Sequence, residues 1–177
     1  GAIFSTIGAV INKPNDKKVG EVLLKSLAQG ALGGYLVYES KRHIGKISRY
    51  EKLEYGWTGK ILNSTGISII ENAAQNRNFW EQWNLNIGFN RIEFELADGI
   101  RVRYKIMPVA FLLTAYTASQ YHFKGGLSLR TGEFVFSGNN LRNRGLPVNG
   151  LTIGTSIILG RDNPNDFQTI SRSEERR

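Results

Sequence analysis

A change of hydrophobic period near Trp83 constrains the fold of this chain more than any other feature. Before Trp83 apolar residues recur about every four positions, whereas from Leu85 to Ile106 they alternate with polar residues. A period near four is typical of a helix with one buried face, and a period of two is typical of a strand with one buried face. The pattern predicts helices in the N-terminal half and an antiparallel sheet after them.

A three-residue loop at 98–100 gives the most consistent pairing of the two strands that it joins. A two-residue loop would mix apolar with charged partners, because a shift of one residue turns every side chain to the other face. The predicted apolar pairs are Leu96 with Val102, Phe94 with Tyr104 and Ile92 with Ile106, and the predicted charged pairs are Glu95 with Arg103 and Glu93 with Lys105. We expect the apolar face to pack on the helices, or to face lipid if the sheet closes into a barrel.

The remaining elements follow from spacing and turn residues. Three glycines within 30–34 are expected to end the first helix, since glycine weakens a helix interior. The predicted elements are a helix near 18–30, a strand at 35–38, a helix at 56–76, a hairpin at 126–136 turning at Thr131-Gly132, and a strand at 151–160.

These elements together predict a mainly β (α+β) fold. It has an antiparallel sheet or partly closed barrel of six to eight strands, with two helices in the N-terminal half. Residues 1–177 are expected to form a single domain, with 1–17 and 167–177 as extended or frayed ends. A chain of 177 residues can bury a sufficient core without cross-links, and the absence of cysteine excludes disulfides and thiolate zinc sites.

The charge is unevenly distributed. The chain carries 23 Lys+Arg against 15 Asp+Glu, and residues 1–60 hold ten basic and five acidic side chains. A basic excess favours encounter with phosphate-rich partners such as nucleic acid or an anionic membrane surface. The densest basic segment provides the candidate anion contacts Lys41, Arg42, Lys46 and Arg49, although a solvated strand face explains the same pattern.

The sequence contains no recognisable catalytic arrangement. His43 and His122 are isolated from carboxylates at metal-ligand spacing. Glu93 and Glu95 share a strand face, but the cations predicted opposite them would keep both ionised, whereas a general acid must hold a proton. We therefore predict no catalytic, cofactor-binding or metal-binding residue and no cofactor.

An aromatic cluster flanks the second predicted helix. It consists of Trp57, Phe79, Trp80 and Trp83. Tryptophan combines an apolar body with one N–H donor, so it suits both the edge of a core and an interface with protein or lipid. These four residues are the candidate interface residues, and core packing is the alternative.

Residues 57–93 (WTGKILNSTGISIIENAAQNRNFWEQWNLNIGFNRIE) resemble largely uncharacterised envelope-associated proteins of Bacteroidota-type bacteria. The resemblance extends through 127–136 to Ser171. It implies a location in the bacterial cell envelope, in the periplasm or at the outer membrane. In those relatives a strand like 151–160 precedes a His-Glu-x-x-His zinc segment, whereas this chain reads ISRSEE at 170–175. No zinc ligand is therefore assigned to this chain.

The predicted function is a non-catalytic scaffold or binding subunit of a bacterial cell envelope, within a larger membrane-associated assembly. Its expected partner is a protein or a membrane surface. One alternative is a truncated metallopeptidase-like chain that lacks its zinc motif. Another is a basic nucleic-acid-binding module.

Overall fold

The computed structural model of the chain describes residues 1–138, 150–160 and 170. Five helices and seven strands lie within them. The helices are α1 (Ala2–Ile11), α2 (Val19–Tyr50), α3 (Tyr55–Ala74), α4 (Pro108–Gln120) and α5 (Gly125–Thr131). The strands are β1 (Gln82–Ile87), β2 (Asn90–Glu95), β3 (Arg101–Ile106), β4 (His122–Phe123), β5 (Phe134–Ser137), β6 (Gly150–Ile153) and β7 (Ser156–Leu159).

The strands form two separate sheets. One has the order β1-β2-β3, and the other has the order β4-β5-β7-β6, in which β5 and β7 run parallel. The backbone clusters into two compact units. Unit 1 comprises 1–40, 61–85 and 91–105, and unit 2 comprises 41–60, 86–90 and 106–177.

The prediction of a mainly β fold is wrong. Helices hold 55% and strands 21% of the described residues, so the fold is α+β with two small sheets and no barrel. Three predicted segments contain helix instead: the strand at 35–38, the first arm of the hairpin at 126–136, and the extended end at 1–17. The last part of α2 and the whole of α4 add helix that was not predicted.

Helix α2 continues through the glycines that were expected to end it. It includes Tyr35 and Tyr38 and ends only at Tyr50. A Cβ atom on Gly33 would lie 2.6 Å from the carbonyl oxygen of Gly66 in α3, and a Cβ on Gly66 would lie 2.6 Å from that of Gly33. The glycines therefore allow two helix backbones to touch, and this packing offsets the weak helix propensity of glycine.

Helix α1 occupies most of a segment that was expected to be extended. Ser5 and Ala9 are fully buried, and the Ser5 hydroxyl donates to the Ser26 carbonyl oxygen at 3.1 Å. The Asn76 side chain donates to the carbonyl oxygens of Ala9 and Asn12 at 2.8 and 2.9 Å. These bonds satisfy acceptors at the C-terminal end of α1 and hold it within unit 1.

Unit 2 has an apolar core on both faces of its sheet. One cluster joins helix residues to β5 and β7, and a second lies against Phe136 and Ile158. The first cluster contains Ile44, Ile47, Leu53, Val135, Ile157, Leu159 and Ile170. Strands buried on both faces read as continuous apolar runs, and 156–159 has this pattern.

The predicted hairpin at 126–136 is wrong in its first arm. Residues 125–131 form α5, which ends at Gly132 with φ of 75°. Ser128 and Thr131, three residues apart, are both buried, and this spacing fits one face of a helical turn. Arg130 consequently pairs with Glu54 at 3.0 Å, and Glu133 pairs with Lys60 at 2.5 Å.

Two further predictions near the C-terminus are affected. The strand at 151–160 is divided into β6 and β7 by a turn at Gly154, whose φ is 57°. The frayed end predicted at 167–177 lies outside the described residues, except for Ile170, which is fully buried.

The helix at 56–76 is confirmed as α3, and the helix at 18–30 is confirmed as the start of α2.

The contact between α2 and α3 predicts a specific sensitivity at Gly33. Gly33→Ala should lower the free energy of unfolding by about 1–3 kcal/mol, because the new methyl group meets backbone atoms that cannot move aside. Urea unfolding measures this change. Gly20→Ala is the matched control, since nothing lies within 4 Å of its added Cβ, and it should raise stability by up to about 1 kcal/mol. Equal effects of the two substitutions would contradict the packing.

Candidate interaction surface

The interior of unit 1 is built mainly from small and polar residues. Its buried apolar residues are Ala9, Val22, Ile69 and Ala73. Its buried polar residues are Ser5, Ser26, Ser40, Ser64, Ser68, Asn72, Asn84 and Glu93. Serine hydroxyls accept or donate within the helices, as in the 2.7 Å bond from Ser68 to the Ser64 carbonyl oxygen. Small residues at helix contacts let the backbones approach each other closely.

Large apolar side chains lie on the outside of unit 1 instead. On the helices the exposed ones are Ile3, Phe4, Ile7, Val10, Ile11, Val19, Leu23, Leu24, Leu27, Leu32, Tyr35, Tyr38 and Ile61. Beyond α3 they are Phe79, Trp80, Leu96, Ile100, Val102 and Tyr104. In folded proteins surrounded by water, large apolar side chains are normally buried and polar ones exposed. Extensive exposed apolar surface marks sites that contact another protein or a membrane.

The three-stranded sheet packs with its charged face inward. Asn84 and Arg91 both donate to the Glu71 carboxylate of α3 at 2.6 Å, and the Ser68 hydroxyl accepts from the Asn84 backbone N–H at 2.8 Å. On the opposite face Leu96, directly after β2, is exposed, whereas Glu93 of β2 is buried. The expectation that the apolar face packs on the helices is therefore wrong, because α3 presents serine, asparagine and glutamate to the sheet.

Glu93 lies at the centre of a network of charges on the inner face. It is only 3% exposed. One carboxylate oxygen is 2.9 Å from Arg91 Nε and the other is 2.9 Å from Lys105 Nζ. Arg103 Nη2 lies 3.2 Å from Glu95. Both predicted charged pairs across β2 and β3 are thus present, which supports the three-residue loop at 98–100.

The network determines the protonation of Glu93. Burial raises its pKa. The hydrogen bonds from Lys105 and Arg91 and their positive charges outweigh this effect, so the pKa of Glu93 lies below the ordinary value of a glutamate. The hydrogen bond from Arg91 to Glu71 in turn raises the pKa of Arg91. Glu93 therefore carries a negative charge at neutral pH, and it cannot serve there as a proton donor.

The predicted aromatic cluster is divided between the two units. Phe79 and Trp80 are exposed in unit 1, with ring centroids 4.6 Å apart in an edge-to-face pair. Trp83 is half-buried against Phe94, and its indole N–H donates to Thr65. Trp57 lies in unit 2. Its N–H donates to the Leu129 carbonyl oxygen at 2.7 Å. Phe79 and Trp80 are thus the members of the cluster that belong to the exposed surface.

The candidate anion contacts lie on helix α2. The alternative, that they form a solvated face of a strand, is therefore wrong. Lys41, Arg42 and Arg49 are exposed near the end of α2. Lys46 is half-buried, with Nζ 3.4 Å from His43 Nε2 and 5.9 Å from the ring centroid of Tyr55. Arg49 lies 5.7 Å from the ring of Tyr50. Their role as anion contacts stays a prediction.

Residues 1–138, 150–160 and 170 contain neither a metal-binding group nor a membrane-spanning helix. No three histidine or carboxylate side chains in these ranges come together in a group able to hold a metal ion. None of the helices there combines the length and apolarity needed to cross a bilayer.

Sequence reasoning missed the exposed residues of α1, namely Ile3, Phe4, Ile7, Val10 and Ile11. A signal was present. Ala2, Ser5, Ala9 and Asn12 recur every three to four positions, which marks a narrow helix face of small and polar residues. This face is the one that packs inward.

Comparison with known proteins adds no relationship. No family model, curated protein or solved structure matches the chain. The resemblance to envelope-associated proteins therefore stays a prediction.

The charged pairing of β2 with β3 can be tested by charge reversal. Glu95→Lys places two positive charges together and should lower stability, and Arg103→Glu in the same chain should recover about 0.2–1 kcal/mol, as expected for an exposed pair. Urea unfolding at low salt measures the coupling. Arg101→Glu combined with Glu95→Lys is the control, and stronger coupling to Arg101 would show that the strand register is shifted.

The lowered pKa of Glu93 predicts a dependence of stability on pH. The ionised Glu93 stabilises the fold fully at pH values above its pKa in the unfolded chain, which is about 4.3. This stabilisation is lost as the pH falls through the lower pKa of Glu93 in the folded chain. Glu93→Gln should lose roughly 1–3 kcal/mol at pH 7 and should flatten the acid side of the curve. Chemical unfolding across pH measures both effects. Asp98→Asn, in an exposed loop, is the control, and an equal flattening by it would contradict the role of Glu93.

Proposed function

We propose that this chain is a non-catalytic scaffold or binding subunit of a bacterial cell envelope, held in a membrane-associated assembly by the apolar exterior of unit 1. The observation that carries the proposal is the reversed distribution of residues in unit 1. Its serines, asparagines and Glu93 are buried, while leucine, isoleucine, phenylalanine and tyrosine side chains are exposed. An apolar surface of this extent is stabilised when lipid or another protein removes it from water.

The charged groups of unit 1 favour a structural role over a catalytic one. Glu93 and Glu71 each accept hydrogen bonds from Arg91, and Lys105 adds a second cation beside Glu93. A general acid needs a raised pKa, whereas that of Glu93 is lowered. Arg103 and Lys105 already pair with carboxylates of this chain, so the nucleic-acid alternative would depend on the candidate anion contacts Lys41, Arg42, Lys46 and Arg49.

The envelope location rests on the resemblance of residues 57–93 and on the exposed apolar surface. Fractionation of cells that carry the native gene tests it. The chain should be recovered with the envelope, and mild detergent should release it in complexes larger than its own 19.8 kDa. Recovery entirely in the soluble cytosol would overturn the proposal.

A double substitution tests whether the apolar exterior of unit 1 holds the chain in the assembly. Leu96→Gln together with Val102→Gln makes the outer face of the β1–β3 sheet polar without touching the buried network, since both side chains are exposed. We expect these changes to reduce recovery in large complexes severalfold. Leu129→Gln is the matched control, because Leu129 is an equally apolar, exposed residue of unit 2. An equal effect of the control would argue against the surface on unit 1.

A further inference from the structure

Helix α1 has two faces of opposite character. The inward face carries Ser5 and Ala9, which are fully buried, and a Cβ on Gly8 would lie 2.7 Å from the Ala74 side chain of α3. At the end of α1, Asn12 donates to the Ala74 carbonyl oxygen at 3.1 Å. The helix is thus attached along its length, so its opposite side faces outward as one continuous strip.

The outward strip is apolar and carries no charge. Phe4 and Ile11 are each 77% exposed and Ile3 is 72% exposed. No Asp, Glu, Lys or Arg occurs between Ala2 and Ile11. A helix at a water-facing surface normally directs polar residues outward. The outward strip of α1 therefore needs an apolar environment.

A lysine-rich loop follows α1 immediately. Lys17 and Lys18 are exposed, and Lys13 Nζ donates to the carbonyl oxygens of Pro14 and Lys17 at 2.9 Å. Asp16 is the single acidic residue in 12–18. The loop thus places a net positive charge directly beside an apolar strip. Apolar residues combined with nearby lysines are the features by which helices bind the interface of an anionic bilayer.

We infer that α1 lies in the head-group region of an anionic phospholipid bilayer, with its outward strip among the acyl chains and the lysines of 13–18 against lipid phosphates. This inference rests on the proposed envelope function, and it names the partner of one part of the apolar exterior of unit 1. A second copy of the chain is a poorer occupant. In a symmetric contact through α1 it would place the same lysines of 13–18 near one another, and like charges oppose association.

Co-sedimentation with vesicles tests the inference. The full chain, purified in mild detergent and diluted, should bind vesicles that contain phosphatidylglycerol more tightly than vesicles of phosphatidylcholine alone, and added salt should weaken binding. Phe4→Gln with Ile11→Gln should weaken binding to both vesicles at least tenfold. Lys17→Gln with Lys18→Gln should weaken binding about 25-fold, and only to the anionic vesicles.

A fluorescent label gives a readout that does not depend on affinity. The chain contains no cysteine, so Phe4→Cys creates a single attachment point for an environment-sensitive dye. Its emission should shift to the blue when anionic vesicles are added. Leu129→Cys, equally exposed on α5, is the matched control and should shift little.

Two results would overturn the inference. One is unchanged vesicle binding of the Phe4/Ile11 variant with no dye shift at position 4. The other is self-association without vesicles, measured by sedimentation velocity, that the same variant abolishes, because a second copy would then cover α1. The proposed envelope function fails separately, through recovery of the native chain in the cytosol.

Discussion

The backbone contact between Gly33 of α2 and Gly66 of α3 is the constraint on which the structure of unit 1 depends. Each glycine lies where a side chain would collide with the carbonyl oxygen of the other. The side chains of Ile70 and Val37 flank this contact, each within 3 Å of the Cβ position of the facing glycine. Elsewhere in unit 1 most buried side chains are small or polar, as Ser26 and Ser64 are, whereas large apolar ones such as Leu24 are exposed. The closely packed helices of unit 1 therefore carry an apolar exterior.

The sheet of unit 1 adapts to the polar surface that α3 offers. Arg91 bridges Glu71 of the helix and Glu93 of the strand, and Lys105 completes the neutralisation of Glu93. Burial of a charge is costly unless it is paired and hydrogen-bonded, and these contacts provide both. Once the charged face is turned inward, the alternation of the strands directs Val102 and Leu96 outward. The proposed interaction surface thus depends on an electrostatic match between α3 and the sheet.

Sequence reasoning succeeded where a local pattern was long and unambiguous. The alternation from Leu85 to Ile106 predicted strands, and the choice of a three-residue loop predicted the ion pairs of Glu95 with Arg103 and Glu93 with Lys105. It failed where a short segment fits two periods. Residues 126–130 suit a strand or a helical turn equally well, and the buried Ser128 and Thr131 select the turn.

The sequence by itself determined the helices at 56–76 and near 18–30, the β2–β3 pairing and the excess of positive charge, because these depend on neighbouring residues and composition. Only the tertiary structure decided that α2 runs on through Gly33 and which face of the sheet is buried. Both outcomes depend on α3. Its Gly66 allows the close contact with Gly33 of α2, and its Ser68 and Glu71 bind the polar face of the sheet. A periodic pattern identifies two faces of an element, but the chemistry of the partner it meets decides which face turns inward.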